Sequence, residues 1–171
     1  MPKQIPSPQE WLAKASQAPT PEEQIHCCTQ ALELDPELPL AYFKRGNGYA
    51  NLGQNAKAIA DYDQALYLDS KVDGAFINRG FTYANLGQYE KAIEDYDRAL
   101  DLSSELEDAY YNKACACARM GKTEEALNNL RRALRIAPHK YCDQSRNDGV
   151  FEKMRASADF QNLLREFCAE C

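Results

Sequence analysis

The sequence repeats itself with a period of 34 residues. The six letters YANLGQ occur at residues 49–54 and again at residues 83–88. When the sequence is shifted by this period, the window 39–72 is identical to the window 73–106 at 19 of 34 positions. A third window, 107–140, keeps the same skeleton of small and large residues. Self-similarity at a fixed period of this size indicates a protein built from stacked structural repeats.

Each window contains two runs of apolar and small residues at helical spacing, separated by a break near the middle. In the first window Tyr42, Gly46 and Tyr49 lie on one helical face. After the break, Ala58 and Tyr62 lie on a second face. Three glycines mark the break at the same place in successive windows, where we expect a helix to end in the left-handed conformation: Gly53, Gly87 and Gly121. Each window therefore predicts a helix, a tight turn and an antiparallel helix.

Two further glycines, Gly46 and Gly80, fall inside predicted helices. Glycine in a helix interior costs up to about 1 kcal/mol relative to alanine. We expect the compensation to be close approach of the two paired helices, because a larger side chain would hold their axes apart.

The order of small and large residues in each window resembles the tetratricopeptide repeat family. The positions that carry the resemblance are Tyr42, Gly46, Tyr49, Ala58, Tyr62 and Ala65, then Phe76, Gly80, Tyr83, Ala92, Tyr96 and Ala99, then Tyr110, Ala114, Cys117, Ala126, Leu130 and Ala133. Ser70 and Ser104 depart from the pattern, because the family usually has proline there, whereas Pro138 keeps it. The resemblance implies an all-α fold, an α-solenoid of stacked antiparallel helix pairs wound into a right-handed superhelix.

The same reasoning predicts one domain made of five segments. Residues 39–72, 73–106 and 107–140 are predicted to be three full repeats. Residues 1–38 are predicted to form an N-terminal cap and a degenerate repeat, and residues 141–171 to form C-terminal capping helices. Atypical sequence at both ends is expected, because the terminal units of a solenoid must cover an apolar surface that no neighbour covers.

In this family the first helix of each pair lines a concave groove, so the resemblance implies a set of groove residues. We expect this set to bind a peptide segment or helix of a partner protein: Phe43, Lys44, Asn47, Asn51, Ile77, Asn78, Phe81, Asn85, Tyr111, Asn112, Cys115 and Arg119. An asparagine amide carries a donor and an acceptor, and so pairs with a peptide main chain without selecting its sequence. The alternative is that each asparagine is merely tolerated on a solvated helix.

Some members of the family bind the acidic C-terminal tails of heat-shock chaperones through a clamp of two lysines, one arginine and two asparagines. The two asparagine positions match Asn47 and Asn78, but the three cationic positions are Phe43, Asp108 and Asn112. Charge-assisted hydrogen bonds contribute about 1.5–3 kcal/mol each, so three missing cations weaken such a complex severely. The resemblance therefore argues against this partner in its usual form. It favours an adaptor or co-chaperone-like scaffold for another protein.

Two arginines of the first helices, Arg45 and Arg79, allow two interpretations. They either reach the groove and meet an acidic ligand, or they pair with acids of the antiparallel helix in their own repeat. In the second case Arg45 pairs with Asp61 or Asp63, and Arg79 pairs with the equivalent acids one repeat later. We favour the second case, in which a surface pair contributes about 1 kcal/mol or less.

Composition and motifs argue against three other classes of function. The formal net charge of −6 disfavours binding to a phosphate backbone. No apolar run reaches the roughly 18 residues of a membrane span. The sequence contains no glycine-rich phosphate loop, no HExxH motif and no nucleophile elbow. We therefore expect no enzymatic activity, no cofactor and no nucleic-acid partner.

The N-terminal letters MPKQIP lack the apolar core of a secretory signal, so the expected location is the cytoplasm. The seven cysteines are then expected to be free thiols, since that compartment is reducing and their spacing resembles no disulfide framework. Cys115, in the predicted groove, is a candidate reactive thiol, although no basic neighbour supports that role.

One alternative function rests on the C-terminal residues His139, Cys142, Cys168 and Cys171. Their paired spacings and soft ligand atoms suit a four-ligand zinc site. In this interpretation the chain is a thiol- or zinc-binding module and the repeats are only its scaffold. We do not favour it, because Cys168 and Cys171 lie where a chain end normally frays.

Overall fold

The structure is a computed structural model that describes residues 6–168, and in this range it contains ten α-helices and one 3₁₀ helix. The α-helices are α1 (Pro8–Gln17), α2 (Pro21–Leu34), α3 (Pro39–Asn51), α4 (Asn55–Leu68), α5 (Asp73–Asn85), α6 (Tyr89–Leu102), α7 (Glu107–Arg119), α8 (Thr123–Ile136), α9 (Pro138–Asn147) and α10 (Ala158–Cys168), and the 3₁₀ helix η1 (Gly149–Phe151) precedes α10. The prediction of an all-α fold is confirmed. None of the described helices is long and apolar enough to cross a membrane.

The contacts group the chain into two compact units whose boundary lies inside α5, between Thr82 and Tyr83. The first unit contains α1 to α4 and most of α5. The second contains the last residues of α5 and the helices that follow it. One domain made of five segments, as predicted from the sequence, stays a prediction.

The helix ends follow from local hydrogen bonding. Helix α1 begins with a capping box, in which Ser7 Oγ accepts from the Glu10 backbone N–H and Glu10 Oε2 accepts from the Ser7 backbone N–H at 2.7 Å. The three predicted turn glycines have positive φ angles, confirming their left-handed conformation: Gly53 (69°), Gly87 (73°) and Gly121 (75°). Each therefore ends the first helix of its pair where a side chain would be strained.

The close approach predicted for Gly46 is confirmed in the first unit. A Cβ atom at this position would lie 2.8 Å from Cε1 of Tyr62, so the Tyr62 ring packs directly on the backbone of α3. The residues of the first unit's core that are at most 1 % exposed include small residues and this one large ring: Cys28, Ala31, Ala41, Ala58, Tyr62 and Ala65. Small residues let the helices approach, and the tyrosine ring fills the remaining space.

The acids of the Asp-Tyr-Asp motif in α4 bind different helices. Asp61 accepts two hydrogen bonds from Arg45 of α3, both at 2.8 Å, while Asp63 accepts one from Arg79 Nη1 of α5 at 2.5 Å. The second interpretation of Arg45, in which it pairs with an acid of its own repeat, is thus correct. The Arg79–Asp63 pair joins α5 to the preceding helix pair. Asp97 bonds in the same way to Lys113, which is also 16 residues later. The pairing of Arg79 with an acid of its own repeat stays a prediction.

The second unit ends in a closing segment, residues 138–168, formed by α9, η1 and α10. Its buried side chains complete the core of α7 and α8, and Phe151, Phe160 and Leu163 are at most 1 % exposed. Cys142 of α9 and Cys168 of α10 form a disulfide, with Cα atoms 5.6 Å apart. The expectation that all seven cysteines are free thiols is therefore wrong for this pair, because the packing of α10 on α9 brings two distant residues within bonding distance.

Candidate functional site

Seven of the twelve predicted groove residues lie on α3 and on the part of α5 that belongs to the first unit. We call these seven the first-unit surface: Phe43, Lys44, Asn47, Asn51, Ile77, Asn78 and Phe81. Asn51 and Phe81 are exposed and the other five are partly buried. The Phe81 side chain is 51 % exposed, and Leu40 at the start of α3 is 48 % exposed. This surface thus presents apolar groups to solvent beside polar amides.

Phe43 connects the two helices of the first-unit surface. A Cβ atom on Gly74 would lie 3.2 Å from Phe43 Cζ, so the absence of a side chain in α5 lets the ring lie against its backbone. The same ring approaches Tyr62, with centroids 6.2 Å apart. The apolar part of the surface is therefore anchored to the core beneath it.

Asn47 and Asn78 form a hydrogen-bonded pair on this surface. Asn47 Oδ1 accepts from Asn78 Nδ2 at 2.8 Å and from the hydroxyl of Tyr62 at 2.8 Å. Within residues 6–168, the Nδ2 of Asn47 and the Oδ1 of Asn78 have no hydrogen-bond partner, and neither atom is enclosed. The pair thus leaves one amide donor group and one amide acceptor, side by side, for a ligand.

The remaining five predicted residues belong to the second unit and do not form an equivalent open surface. Asn85 and Arg119 are exposed, and Asn112 and Cys115 are partly buried. Tyr111 is only 3 % exposed, so its assignment to a groove that is open to a partner is wrong.

The closing segment covers Tyr111. The Tyr111 ring stacks on Tyr141 of α9 at a centroid distance of 4.5 Å, and Phe151 of η1 packs edge-on at 6.0 Å. The Tyr111 hydroxyl donates to Asp148 Oδ2 at 3.1 Å. This covering was not predictable from the repeat, because Tyr141 and Phe151 lie beyond the last full repeat and have no equivalent positions in the 34-residue pattern.

Asp108 of α7 also binds the closing segment. It accepts hydrogen bonds from Lys140 Nζ, at 2.8 Å, and from the Tyr141 hydroxyl. Although burial acts to raise it, these hydrogen bonds hold the pKa of Asp108 below its ordinary value. The carboxylate therefore stays charged at neutral pH and fixes α9 against α7.

Cys115 is not an activated thiol. Burial, assisted by the negative charge of Asp148, raises the pKa of Cys115 to about 12. A thiol with such a pKa is almost entirely protonated at neutral pH, and only the thiolate is a good nucleophile. The structure therefore argues against the reactive role considered for this residue.

The predicted zinc set is not assembled in this structure. Cys142 and Cys168 are bonded to each other, so neither sulfur is a thiolate ligand, and Cys171 lies outside the described residues. In the part of the chain that the structure describes, no three side chains of His, Cys, Asp or Glu converge as a metal site. In the disulfide-bonded protein, Cys142 and Cys168 therefore cannot serve as two of the four ligands that the zinc interpretation requires.

Comparison with known proteins agrees with the repeat pattern. Two family models described as tetratricopeptide repeat match the sequence, one over residues 39–71 and the other over residues 74–139. No match was found among curated protein sequences.

Solved structures with the same fold include three proteins of low sequence identity. YrrB, described as a TPR protein with an unusual peptide-binding site, is 20 % identical with a TM-score of 0.72, over 94 % of this chain and 86 % of its own. MamA is 22 % identical with a TM-score of 0.72, over 78 % and 80 %. The first TPR of Spaghetti (RPAP3), bound to the HSP90 peptide SRMEEVD, is 23 % identical with a TM-score of 0.59, over 75 % and 89 %. These likenesses show a shared α-solenoid fold.

Proposed function

The chain belongs to the tetratricopeptide repeat family, and on that premise we propose that its first-unit surface holds an extended segment of a partner protein. Proteins of this family are generally interaction scaffolds rather than enzymes. A protein partner is further supported by YrrB and by the first TPR of Spaghetti, both of which are described as peptide-binding. We therefore propose a non-enzymatic interaction module.

The observation that carries this proposal is the open donor and acceptor of the Asn47–Asn78 pair. An extended peptide has unpaired main-chain N–H and C=O groups, which such a pair satisfies. A partner helix would already have used these groups in its own hydrogen bonds. The surface therefore favours an extended segment over a helix.

The side chains around the amide pair indicate what the segment contains. Phe81 and Leu40 are about half exposed, and Phe43 and Ile77 are partly buried beside them. No residue of the first-unit surface is acidic, and Lys44 is its one cation. Successive side chains of an extended segment point to opposite sides. We therefore expect apolar residues at alternate positions, with at most a weak preference for acidic ones.

We propose a partner other than an acidic chaperone tail, because the sequence lacks the cations of the clamp. Phe43 occupies one of the cationic clamp positions, and Asp108 and Asn112 occupy the other two. The Asp108 carboxylate stays charged, because Lys140 and Tyr141 bond to it. We expect the peptide SRMEEVD, which the first TPR of Spaghetti binds, to show no measurable affinity here.

The test begins with a peptide selected from a random library displayed on phage against the immobilised protein. Its affinity is measured by fluorescence polarisation for the wild type and for the variant Asn47→Ala, Asn78→Ala, Phe81→Ala. We expect the triple variant to lose binding while its helical circular dichroism is unchanged. Asn128→Ala, an exposed asparagine on α8, is the matched control and should bind normally. Undiminished binding by the triple variant would place the ligand elsewhere.

A cytoplasmic location stays part of this proposal. Cytosolic glutathione and thioredoxin keep most thiols reduced, so the Cys142–Cys168 disulfide would form there only transiently. Alkylation of thiols at the moment of cell lysis, followed by mass spectrometry, measures the fraction of this pair that is oxidised. A fully oxidised pair would contradict the cytoplasmic assignment.

A further inference from the structure

The orientation of the Asn47 amide is determined by a residue beneath the surface. Tyr62 is 1 % exposed, and its hydroxyl donates to Asn47 Oδ1 at 2.8 Å. Burial raises the pKa of Tyr62, so the phenol keeps its proton throughout the physiological range. Among the described residues the Tyr62 hydroxyl has no other acceptor, so turning Asn47 Nδ2 inwards would leave a buried donor unsatisfied, which favours the orientation with the Asn47 oxygen towards Tyr62.

The orientation of Asn47 in turn sets that of Asn78. Because the oxygen of Asn47 faces inwards, it accepts from Asn78 Nδ2 at 2.8 Å. Asn78 then presents Oδ1 to solvent. The donor of the pair thus lies on α3 and the acceptor lies on α5, and reversing both amides would leave the buried Tyr62 hydroxyl proton without an acceptor.

We propose that Tyr62 is a positioning residue that fixes the direction in which the first-unit surface holds an extended peptide. This inference rests on the function proposed above. One residue of an extended chain directs its N–H and its C=O towards the same neighbour. Its N–H donates to Asn78 on α5 and its C=O accepts from Asn47 on α3. Since the N–H precedes the C=O along a chain, the peptide runs from α5 towards α3 and α1.

The next repeat has the same tyrosine but no asparagine at the position equivalent to Asn47. Tyr96 is the counterpart of Tyr62, and Phe81 is the counterpart of Asn47. The Tyr96 hydroxyl is buried and has no hydrogen-bond partner among residues 6–168. The same ring thus occupies this repeat position without a hydrogen bond in Tyr96, whereas the Tyr62 hydroxyl bonds to Asn47. Tyr96→Phe is consequently a matched control for Tyr62→Phe.

The first experiment is a double-mutant cycle between protein and peptide. The probe is the phage-selected peptide, synthesised with one main-chain N–H at a time replaced by an ester oxygen. For the wild type we expect one ester position to raise Kd about three- to tenfold, because it removes the donor to Asn78. Tyr62→Phe should weaken binding of the all-amide peptide and reduce this ester penalty to less than about twofold. Tyr96→Phe should change neither value.

The second experiment measures direction. A nitroxide is attached to either end of the peptide, and broadening of the protein amide signals is recorded by NMR. The C-terminal label should broaden signals of α1 more than the N-terminal label does, and in Tyr62→Phe this difference should decrease. Asn47→Asp, which keeps the inward acceptor and replaces the outward donor by an oxygen, should weaken binding at least about tenfold.

Two results would overturn the inference: equal broadening of α1 by the two labels in the wild type, or an unchanged ester penalty in Tyr62→Phe. These results are distinct from failure of the proposed function itself. If the peptide binds the triple variant of Asn47, Asn78 and Phe81 as tightly as it binds the wild type, the proposed function is wrong. If the peptide needs that surface but Tyr62→Phe has no effect, only the positioning role fails.

Discussion

Tyr111 and Tyr141 stack with their ring centroids 4.5 Å apart and their planes inclined by 12°. Tyr111 belongs to α7, whose equivalent face in the repeat family meets a ligand, and Tyr141 belongs to the chain's own closing segment. The second unit therefore supplies an internal partner for this part of α7. Among residues 6–168 no comparable segment covers Phe81 of the first-unit surface, which remains about half exposed.

We predict that Tyr141→Ala lowers the free energy of unfolding by about 3 kcal/mol. The ring is 2 % exposed, and the substitution removes the stacking on Tyr111 and the hydroxyl bond to Asp108. Urea denaturation monitored by circular dichroism measures the change. Tyr67→Ala is the control, because that ring is 83 % exposed and its loss should alter stability by about 0.5 kcal/mol or less. Equal effects of the two substitutions would show that the closing segment does not stabilise α7.

Reduction of the Cys142–Cys168 disulfide should destabilise the protein by about 3.5 kcal/mol. This value is the loop entropy that a cross-link between residues 26 apart removes from the unfolded chain. Thermal unfolding with and without a phosphine reductant measures the effect. The double variant Cys142→Ala, Cys168→Ala controls for the other thiols, and its melting temperature should not respond to the reductant. A response in the double variant would mean that another disulfide is present.

The repeat pattern was sufficient to predict most of the fold. The 34-residue period gave the helix pairs, and the positive φ of Gly53 and the Gly46–Tyr62 contact agree with the roles assigned to those glycines. These features depend on local backbone conformation and on residue size, both of which are readable from sequence.

The candidate site was less predictable, because it depends on contacts outside the period. The covering of Tyr111 comes from α9 and η1, whose sequence lacks the repeat signature. The disulfide depends on where α10 packs, which the spacing of its cysteines does not reveal. The sequence identified Asn47 and Asn78 as groove residues. Which of the two offers its donor and which its acceptor depends on the hydrogen bond from the Tyr62 hydroxyl, and this bond is visible only in three dimensions.

The two acids of the Asp-Tyr-Asp motif should differ in their contribution to stability. The Asp61 side chain is 9 % exposed and binds Arg45 through two hydrogen bonds, so Asp61→Ala leaves a largely buried cation without its carboxylate. We expect a loss of about 2–3 kcal/mol. Asp63 is 54 % exposed, and Asp63→Ala should cost about 1 kcal/mol or less. Chemical denaturation of the two single variants tests this order, which an equal or larger effect of Asp63→Ala would contradict.

The pKa of Cys115 leads to a prediction about pH. Since burial raises it from the ordinary 9.0 to about 12, the folded thiol is protonated at pH 8 in all but about one molecule in ten thousand. Unfolding lowers the pKa towards 9.0, which increases the thiolate fraction to about one tenth. We therefore expect iodoacetamide to alkylate Cys115 about a thousandfold faster in the urea-denatured protein than in the folded protein at pH 8.

Peptide mass spectrometry after timed quenching measures this rate for each cysteine separately. Cys28, whose burial raises its pKa to about 11, is the internal comparison and should be protected about a hundredfold in the folded protein. Raising the pH from 8 to 9 should accelerate alkylation of folded Cys115 about tenfold, because its thiolate fraction increases in that proportion. Rapid alkylation of Cys115 in the folded protein at pH 8 would mean that η1 and α9 do not shield α7, and the covered surface described for the second unit would be incorrect.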